Sequence, residues 1–320
     1  MTYGKELRSV DSDMNKVYQV IIIGGGPAGL SAGLYTSRSR LNTLLIERGL
    51  IGGQIVYAEH IENYPGFPEG VSGPDLGQLM LQQATKYGLE TLFGEVLALK
   101  LDGEHKLIKT TEGDFSTEAV IITTGCERLK LGVPGEEKFT GRGVSLCATC
   151  DAPLFRDKIV AVVGGGDAAI TEALSLVTFA SSVKVIHRRN ELRASKILQE
   201  RAFAHPKVDF IWDTEVSEIQ GNTTVRQLEL KHIKTGDKAI LEIDGVFIAI
   251  GMIPNTKYLE RIIFLDETGL ILTNDLMETN IPGIFAAGDI RHNSPRQVIA
   301  AAGDGATAAL SAEQFLISKH

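Results

Sequence analysis

The hydrophobic positions of this chain fall in short apolar runs, each followed by a glycine cluster and then by a segment of helical period. Val17 to Ile23 is apolar apart from Gln19 and rich in β-branched residues, which predicts a buried strand. It stops at Gly24-Gly25-Gly26, and Pro27 then opens a segment with the spacing of a helix. Leu44-Leu-Ile-Glu47 predicts a second strand. The pattern then recurs: Val20 to Leu34 lies without a gap on Val160 to Leu174, and Val183-Lys-Val-Ile-His187 follows the second copy as Leu44 to Glu47 follows the first. Strand, glycine turn, helix and strand, written twice, predict an α/β fold with two Rossmann-like dinucleotide-binding domains.

Length and composition fit that reading. A chain of 320 residues is enough for about two domains with full cores. With 32 basic and 40 acidic residues the formal charge is −8, so no general nucleic-acid-binding face is expected. Val17 to Ser37 carries no Asp, Glu, Lys or Arg over 21 residues, close to the ~20 that span a bilayer. The Gly-Gly-Gly-Pro interruption argues instead for a soluble strand and helix, and no membrane association is expected. Residues 1–16 mix both charges without a cleavage pattern and read as a loose tail rather than a signal peptide. Three cysteines suit a reducing compartment, with the cytoplasm as the default location.

The chemistry of each glycine turn follows from its flanks. Gly24 and Gly26, like Gly164 and Gly166, permit a tight turn and let backbone amides approach a pyrophosphate at the positive end of a helix. Gly29 and its counterpart Ala169 are small enough for helix and strand to pack closely. Glu47, 23 residues after Gly24, suits a pair of ribose hydroxyls and repels a further phosphate. The corresponding place in the second copy holds His187, Arg188 and Arg189, with Arg193 four residues on. Forked guanidinium donors match the oxygens of a 2′-phosphate, so the second site should prefer NADPH to NADH.

Between the two turns lies Ser145-Leu-Cys147-Ala-Thr-Cys150-Asp151. A C-x-x-C pair serves metal binding or redox exchange. A structural zinc takes four ligands, whereas here the third cysteine, Cys126, stands alone and no second pair or H-x3-5-H occurs, so no metal is expected. Redox exchange is favoured, with Asp151 placed to manage a proton as a thiolate attacks or leaves; a helix cap is its other reading, compatible with the first. Cys126 reads as a small buried filler behind the strand Ala119 to Thr123.

Taken together, these motifs resemble the low-molecular-weight, bacterial-type thioredoxin reductases from about Val17 to Phe315. The resemblance rests on the first glycine turn, Gly52-Gly53-Gln54, Ile61-Glu-Asn63-Tyr-Pro-Gly66, Thr123-Thr124-Gly125, C-A-T-C-D, His187-Arg-Arg189 with Arg193, Pro254-Asn255, and Phe285-Ala-Ala-Gly288-Asp289, in that order. It implies FAD in the first site, NADPH in the second, a homodimer, and reduction of the disulfide of thioredoxin or a thioredoxin-like protein. It implies that Cys150 is the thiol nearest the flavin, Cys147 the thiol that attacks the partner, and Asp151 the general acid. Pro27, Ala28, Gly53, Gln54, Asn63 and Val96 would join the FAD contacts, as would Thr124, Gly125, Gly288 and Asp289, the last on the ribityl chain. Arg296, Gln297 and Val298 complete that set, where a helix from about Pro295, capped by Ser294, would aim its positive end at the flavin. Asp167 and Ala168 would join the NADPH contacts. Because Asp289 belongs with the FAD yet follows the NADPH motif, the resemblance implies one domain inserted in the other: 17–128 and 255–320 for FAD, 129–254 for NADPH and the C-x-x-C. Paired connections near Glu127 to Val133 and Met252 to Thr256 would allow the domain rotation of that family. Ala152-Pro153, Ala168, Met252 and Pro295 depart from the family's usual residues, which bears on partner choice more than on reaction class. A flavin-dependent dithiol oxidase, or a reductase of another small disulfide, is the alternative; an oxidase would have no use for the arginine cluster.

Overall fold

The computed structural model describes residues 17–58, 60–259 and 261–319. The expected loose tail, residues 1–16, lies outside them. The described chain divides into two compact units, one made of the segments up to Glu127 and from Ile253, the other of Arg128–Met252.

In the first unit the apolar run forms the strand Val17–Ile23, and Pro27 occupies the first position of the helix Pro27–Arg38. Proline suits that position because the amide it lacks would have had no intrahelical partner. The helix ends as Leu41 N donates to Thr36 O and Arg40 N to Ser37 O, with Arg40 left-handed at φ 62°. That is the paired C-terminal lock usually built on glycine. The uncharged stretch is thus a strand and a helix, and no helix among the described residues is long and apolar enough to cross a membrane.

Val17–Ile23 lies parallel between Thr43–Glu47 and the long strand Gly113–Ile122. Glu90–Phe93 extends the sheet in parallel on one side, and Ile284–Ala286 pairs in parallel with the far end of Gly113–Ile122. The near end of that strand instead continues an antiparallel meander through His105–Thr110 and Val96–Asp102. The alternation of side chains fills both faces of the sheet. Val20 and Ile22 meet the helix residues Ala28, Leu30 and Ala32, while Tyr18, Ile21 and Ile23 join Leu99, Ile108 and Leu259. Each fully buried Val, Ile or Leu side chain among these contributes about 1.5–3 kcal/mol.

The second unit repeats the plan. Ile159–Val163 lies parallel between Ser182–Ile186 and Gly245–Ile248, with Val208–Ile211 and Val144–Ser145 at the edges. A separate antiparallel meander, Thr214–Gly221, Val225–His232 and Lys238–Glu242, precedes Gly245–Ile248, as the first unit's meander runs into Gly113–Ile122. Val160 and Val162 face the helix Asp167–Leu176, whereas Ala161 and Val163 face the meander. The repeat in the sequence is a repeat of architecture: two Rossmann-like sheets, each parallel core reading third, second, first, then later strands. The links are the short strands Cys126–Arg128 and Met252–Pro254, which pair with each other.

Candidate functional site

The first glycine turn is fixed by what surrounds it. Gly24 sits at φ 108°, and a Cβ there would stand 2.6 Å from Thr123 O; at Gly29 a Cβ would stand 1.9 Å from Gly24 O. Thr123 Oγ1 reaches both Ile23 O and Gly24 O, at 2.9 and 2.8 Å, which ties the turn to the end of the neighbouring strand. Around Gly26 the space is open, and no side chain caps the helix that follows. Its first-turn amides therefore stay available to an anion.

Three further segments converge on this turn. Gly53, opening the 3-10 turn Gly53–Tyr57, approaches so closely that a Cβ on it would meet Gly26 Cα at 3.1 Å. Gly288 sits at φ 80° against Ala28, and Gly125 is left-handed at φ 59°. Asn255 joins Thr124, its Nδ2 donating to Thr124 O at 2.8 Å while Thr124 Oγ1 donates to Asn255 O at 3.2 Å. Glu47 accepts from Gly25 N at 2.5 Å and Gly49 N at 2.6 Å, leaving the remaining carboxylate lone pairs for hydroxyl donors. Gly94 N donates to Glu47 O, which brings the segment leading to Val96 to the same strand end. Asn63 Nδ2 donates to Gln297 Oε1 at 3.2 Å across 234 positions of sequence. Gln54 and Arg296 are exposed, and among the described residues no side-chain hydrogen bond joins them to the others.

The segment before the C-terminal helix corrects one expectation. The helix is Val298–Lys319, with Gln297 O accepting its first bond from Ala301 N; it does not start at Pro295. Ser294 is no helix cap: its Oγ accepts from Arg296 N at 3.2 Å and donates to Asp289 Oδ1 at 3.3 Å. Arg296 at φ 56° is left-handed, which a first helical turn does not admit, so the helix begins two residues later.

Two residues of this site carry no motif. Asp304, on the C-terminal helix, accepts from Gly288 N at 3.2 Å and from Arg291 at 2.6 and 3.0 Å, with both side chains largely buried. This bidentate pair holds the turn that presents Asp289. Removing the carboxylate strands a buried guanidinium, so Asp304→Ala is expected to cost about 3 kcal/mol, measured as a lower Tm. Cys126 is buried behind the same turn, its Sγ donating to Asp289 O at 3.1 Å.

In the second unit Gly164 sits at φ 152° and the helix from Asp167 again lacks a side-chain cap. Asp167 Oδ1 accepts from Ser195 N, and Gly165 O from Arg193 N at 2.7 Å, so the arginine loop folds back over the turn. Gly165 lies so close to the His187 ring that a Cβ would meet it at 2.4 Å. Ala168 follows Asp167 in the first helical turn and is exposed, as are Arg188, Arg189 and Arg193; His187 is buried beneath them. Burial, and then the charge of Arg193, push the His187 pKa down, which keeps the imidazole neutral and leaves the positive charge to the guanidiniums.

Cys147 and Cys150 form a disulfide with Cα atoms 5.3 Å apart. Cys147 precedes the one-turn helix Ala148–Asp151, and Cys150 N donates to its Sγ at 3.2 Å. Asp151 ends that turn and caps neither it nor the 3-10 turn that follows. Its Oδ2 instead accepts from Ser145 Oγ at 2.6 Å, and Ser145 Oγ accepts from Cys147 N at 3.2 Å. One hydroxyl thus fixes both the carboxylate and the backbone of the neighbouring cysteine; a serine two residues ahead of the pair is the sequence signal for it.

With this geometry established, similarity to known proteins decides the family. Residues 18–305 match the model of the pyridine nucleotide-disulphide oxidoreductases. The chain belongs to that family. It is 49% identical over 303 residues to the thioredoxin reductase of Bacillus subtilis, covering 94% of this chain and 95% of that protein. Among solved structures, the thioredoxin reductase of Streptococcus pyogenes is 46% identical with a TM-score of 0.92, covering 95% of this chain and 99% of that one. The thioredoxin reductase of Giardia duodenalis is 34% identical with a TM-score of 0.90, covering 95% of this chain and all of that one.

Proposed function

We propose that this oxidoreductase is a thioredoxin reductase, transferring reducing equivalents from NADPH by way of FAD and the Cys147–Cys150 disulfide to the disulfide of thioredoxin. The observation that carries the reading is the coexistence in one chain of two uncapped glycine-turn sites and a disulfide whose neighbouring carboxylate is held in place by a serine.

The first unit fits FAD. The open space at Gly26, the available amides of the first helical turn and the partly unsatisfied Glu47 carboxylate suit the pyrophosphate and ribose of an adenine dinucleotide. The Asn63–Gln297 pair, Thr124, Gly125, Val96 and Asp289 would hold the rest, with Gln54, Arg296 and Val298 beside them. Bound there, FAD supplies the two-electron chemistry that connects a nicotinamide to a disulfide. The second unit fits NADPH: Gly164, Gly166, Asp167 and Ala168 would hold the pyrophosphate, and Arg188, Arg189 and Arg193 would receive the 2′-phosphate.

Two electrons and two protons open the Cys147–Cys150 bond to a dithiol. Cys147, as thiolate, then attacks one sulfur of the partner disulfide; the partner S–S bond breaks, a mixed disulfide forms, and the leaving sulfur takes a proton from Asp151. Cys150 attacks Cys147 in turn, releasing the dithiol partner and restoring the enzyme disulfide. Ser145 keeps the Asp151 carboxyl oriented throughout. The three-cysteine composition supports a reducing cytoplasmic setting, and the family resemblance supports a homodimer. Turnover tests the reading: NADPH should be consumed on addition of oxidised thioredoxin and not in its absence, and failure to consume it with thioredoxin present would overturn the proposal.

A further inference from the structure

We infer that Ser145 directs the proton of thiol exchange: its hydroxyl engages Asp151 Oδ2, so the proton that reaches the leaving sulfur is carried on Oδ1, and the same hydroxyl favours its departure. Ser145 is then a positioning residue, and the inference rests on the reading of Asp151 as the general acid.

Ser145 ends the short strand Val144–Ser145, which pairs in parallel with Gly245–Ile248 and places Ser145 opposite Phe247. The residue is 5% exposed. Its hydroxyl therefore projects from backbone that the sheet holds in place, and the chain that follows turns back to meet it twice. Cys147 N donates to Ser145 Oγ at 3.2 Å, and Ser145 Oγ donates to Asp151 Oδ2 at 2.6 Å. The amide has only a hydrogen to give, so the hydroxyl accepts there and turns its own hydrogen elsewhere. Apart from Asp151, the acceptor recorded for that hydrogen among the described residues is Cys147 O, at 3.5 Å. A proton on Oδ2 would drive the hydroxyl from the short contact to the long one. A proton on Oδ1 leaves the whole chain of hydrogen bonds undisturbed.

This arrangement also acts on the barrier. A hydrogen bond donated to a carboxylate is stronger than one donated to the neutral acid. As the Cys147 thiolate forms the mixed disulfide and the partner S–S bond breaks, the leaving sulfur takes the Oδ1 proton and Asp151 passes from acid to carboxylate. The bond from Ser145 strengthens in step with the charge, so it stabilises the proton-transfer transition state more than the state before it. Ser145 itself gives no proton to the partner.

The test uses holoenzyme reduced with dithiothreitol, freed of excess reductant and mixed rapidly with one of two disulfides, so that exchange is read without hydride transfer. Oxidised thioredoxin releases an alkyl thiolate that needs a proton; dithiobis(nitrobenzoate) releases an aryl thiolate that is stable without one. Ser145→Ala should slow exchange with thioredoxin by about 10-fold or more, the effect of one lost hydrogen bond to a charged group, and leave the reaction with dithiobis(nitrobenzoate) at the wild-type rate. Combined with Asp151→Asn it should be no slower than Asp151→Asn alone, because Ser145 acts through that carboxyl. Equal losses with both disulfides, or losses that add in the double variant, would overturn the inference by showing that Ser145 only supports the fold or the Cys147 amide. If Asp151→Asn slows thioredoxin while Ser145→Ala matches the wild type, the Asp151 assignment stands and Ser145 falls; if Asp151→Asn reduces thioredoxin at the wild-type rate, both fail.

Discussion

Cys147→Ser is expected to abolish reduction of thioredoxin while leaving reduction of the bound flavin by NADPH intact. Loss of a covalent nucleophile acts on the scale of ~10^3-fold or more, because the sulfur assigned to attack the partner is gone and Cys150 is left only in the role of resolving thiol. The remaining thiol, Cys150, lies within the helical turn Ala148–Asp151 that Cys147 precedes, and its amide donates to the Cys147 Sγ. The two halves of the reaction are read separately: flavin absorbance under NADPH without oxygen, and thioredoxin thiols formed with time. Retained thioredoxin turnover in Cys147→Ser would remove the assignment of the attacking sulfur.

The second large effect concerns coenzyme choice. Replacing Arg188 and Arg189 with Ala should weaken NADPH by about 1.5–3 kcal/mol for each charge-assisted hydrogen bond to the phosphate that is removed, roughly 10- to 150-fold apiece. NADH, which has no 2′-phosphate, should be little affected. Both arginines are exposed at the end of Ser182–Ile186, above a buried and neutral His187, so their removal leaves the sheet and the Gly165–His187 packing intact. The KM values for the two coenzymes, measured side by side, decide the matter: equal losses would contradict the role given to the arginines.

The duplicated architecture is legible in the sequence because its signals are local. An apolar strand, a glycine turn and a proline or aspartate at the helix start are dictated by neighbours in the chain, and both copies fold as that pattern requires. The pair Asn63 and Gln297 is legible through a family resemblance and not through spacing, since 234 positions separate residues that meet only in the folded unit. Asp304 gives no sequence signal because a lone aspartate in an alanine-rich helix looks like solvent-facing polarity; its burial follows from the close packing of that helix on Pro27–Arg38, where Gly305 approaches Ala28 O too closely for any side chain. The start of the last helix departs from its sequence pattern for a related reason. Ser-Pro reads as cap and first turn, but Ser294 spends its hydroxyl on Asp289 and Arg296 turns left-handed.

The central claim is that one flavin communicates with both a nicotinamide and the Cys147–Cys150 pair. Anaerobic rapid mixing of the purified yellow protein with NADPH, followed by oxidised thioredoxin, tests it directly. The account predicts that flavin absorbance bleaches with NADPH and returns when thioredoxin is added. Absorbance that NADPH leaves unchanged, or that bleaches and fails to recover with thioredoxin, would contradict it.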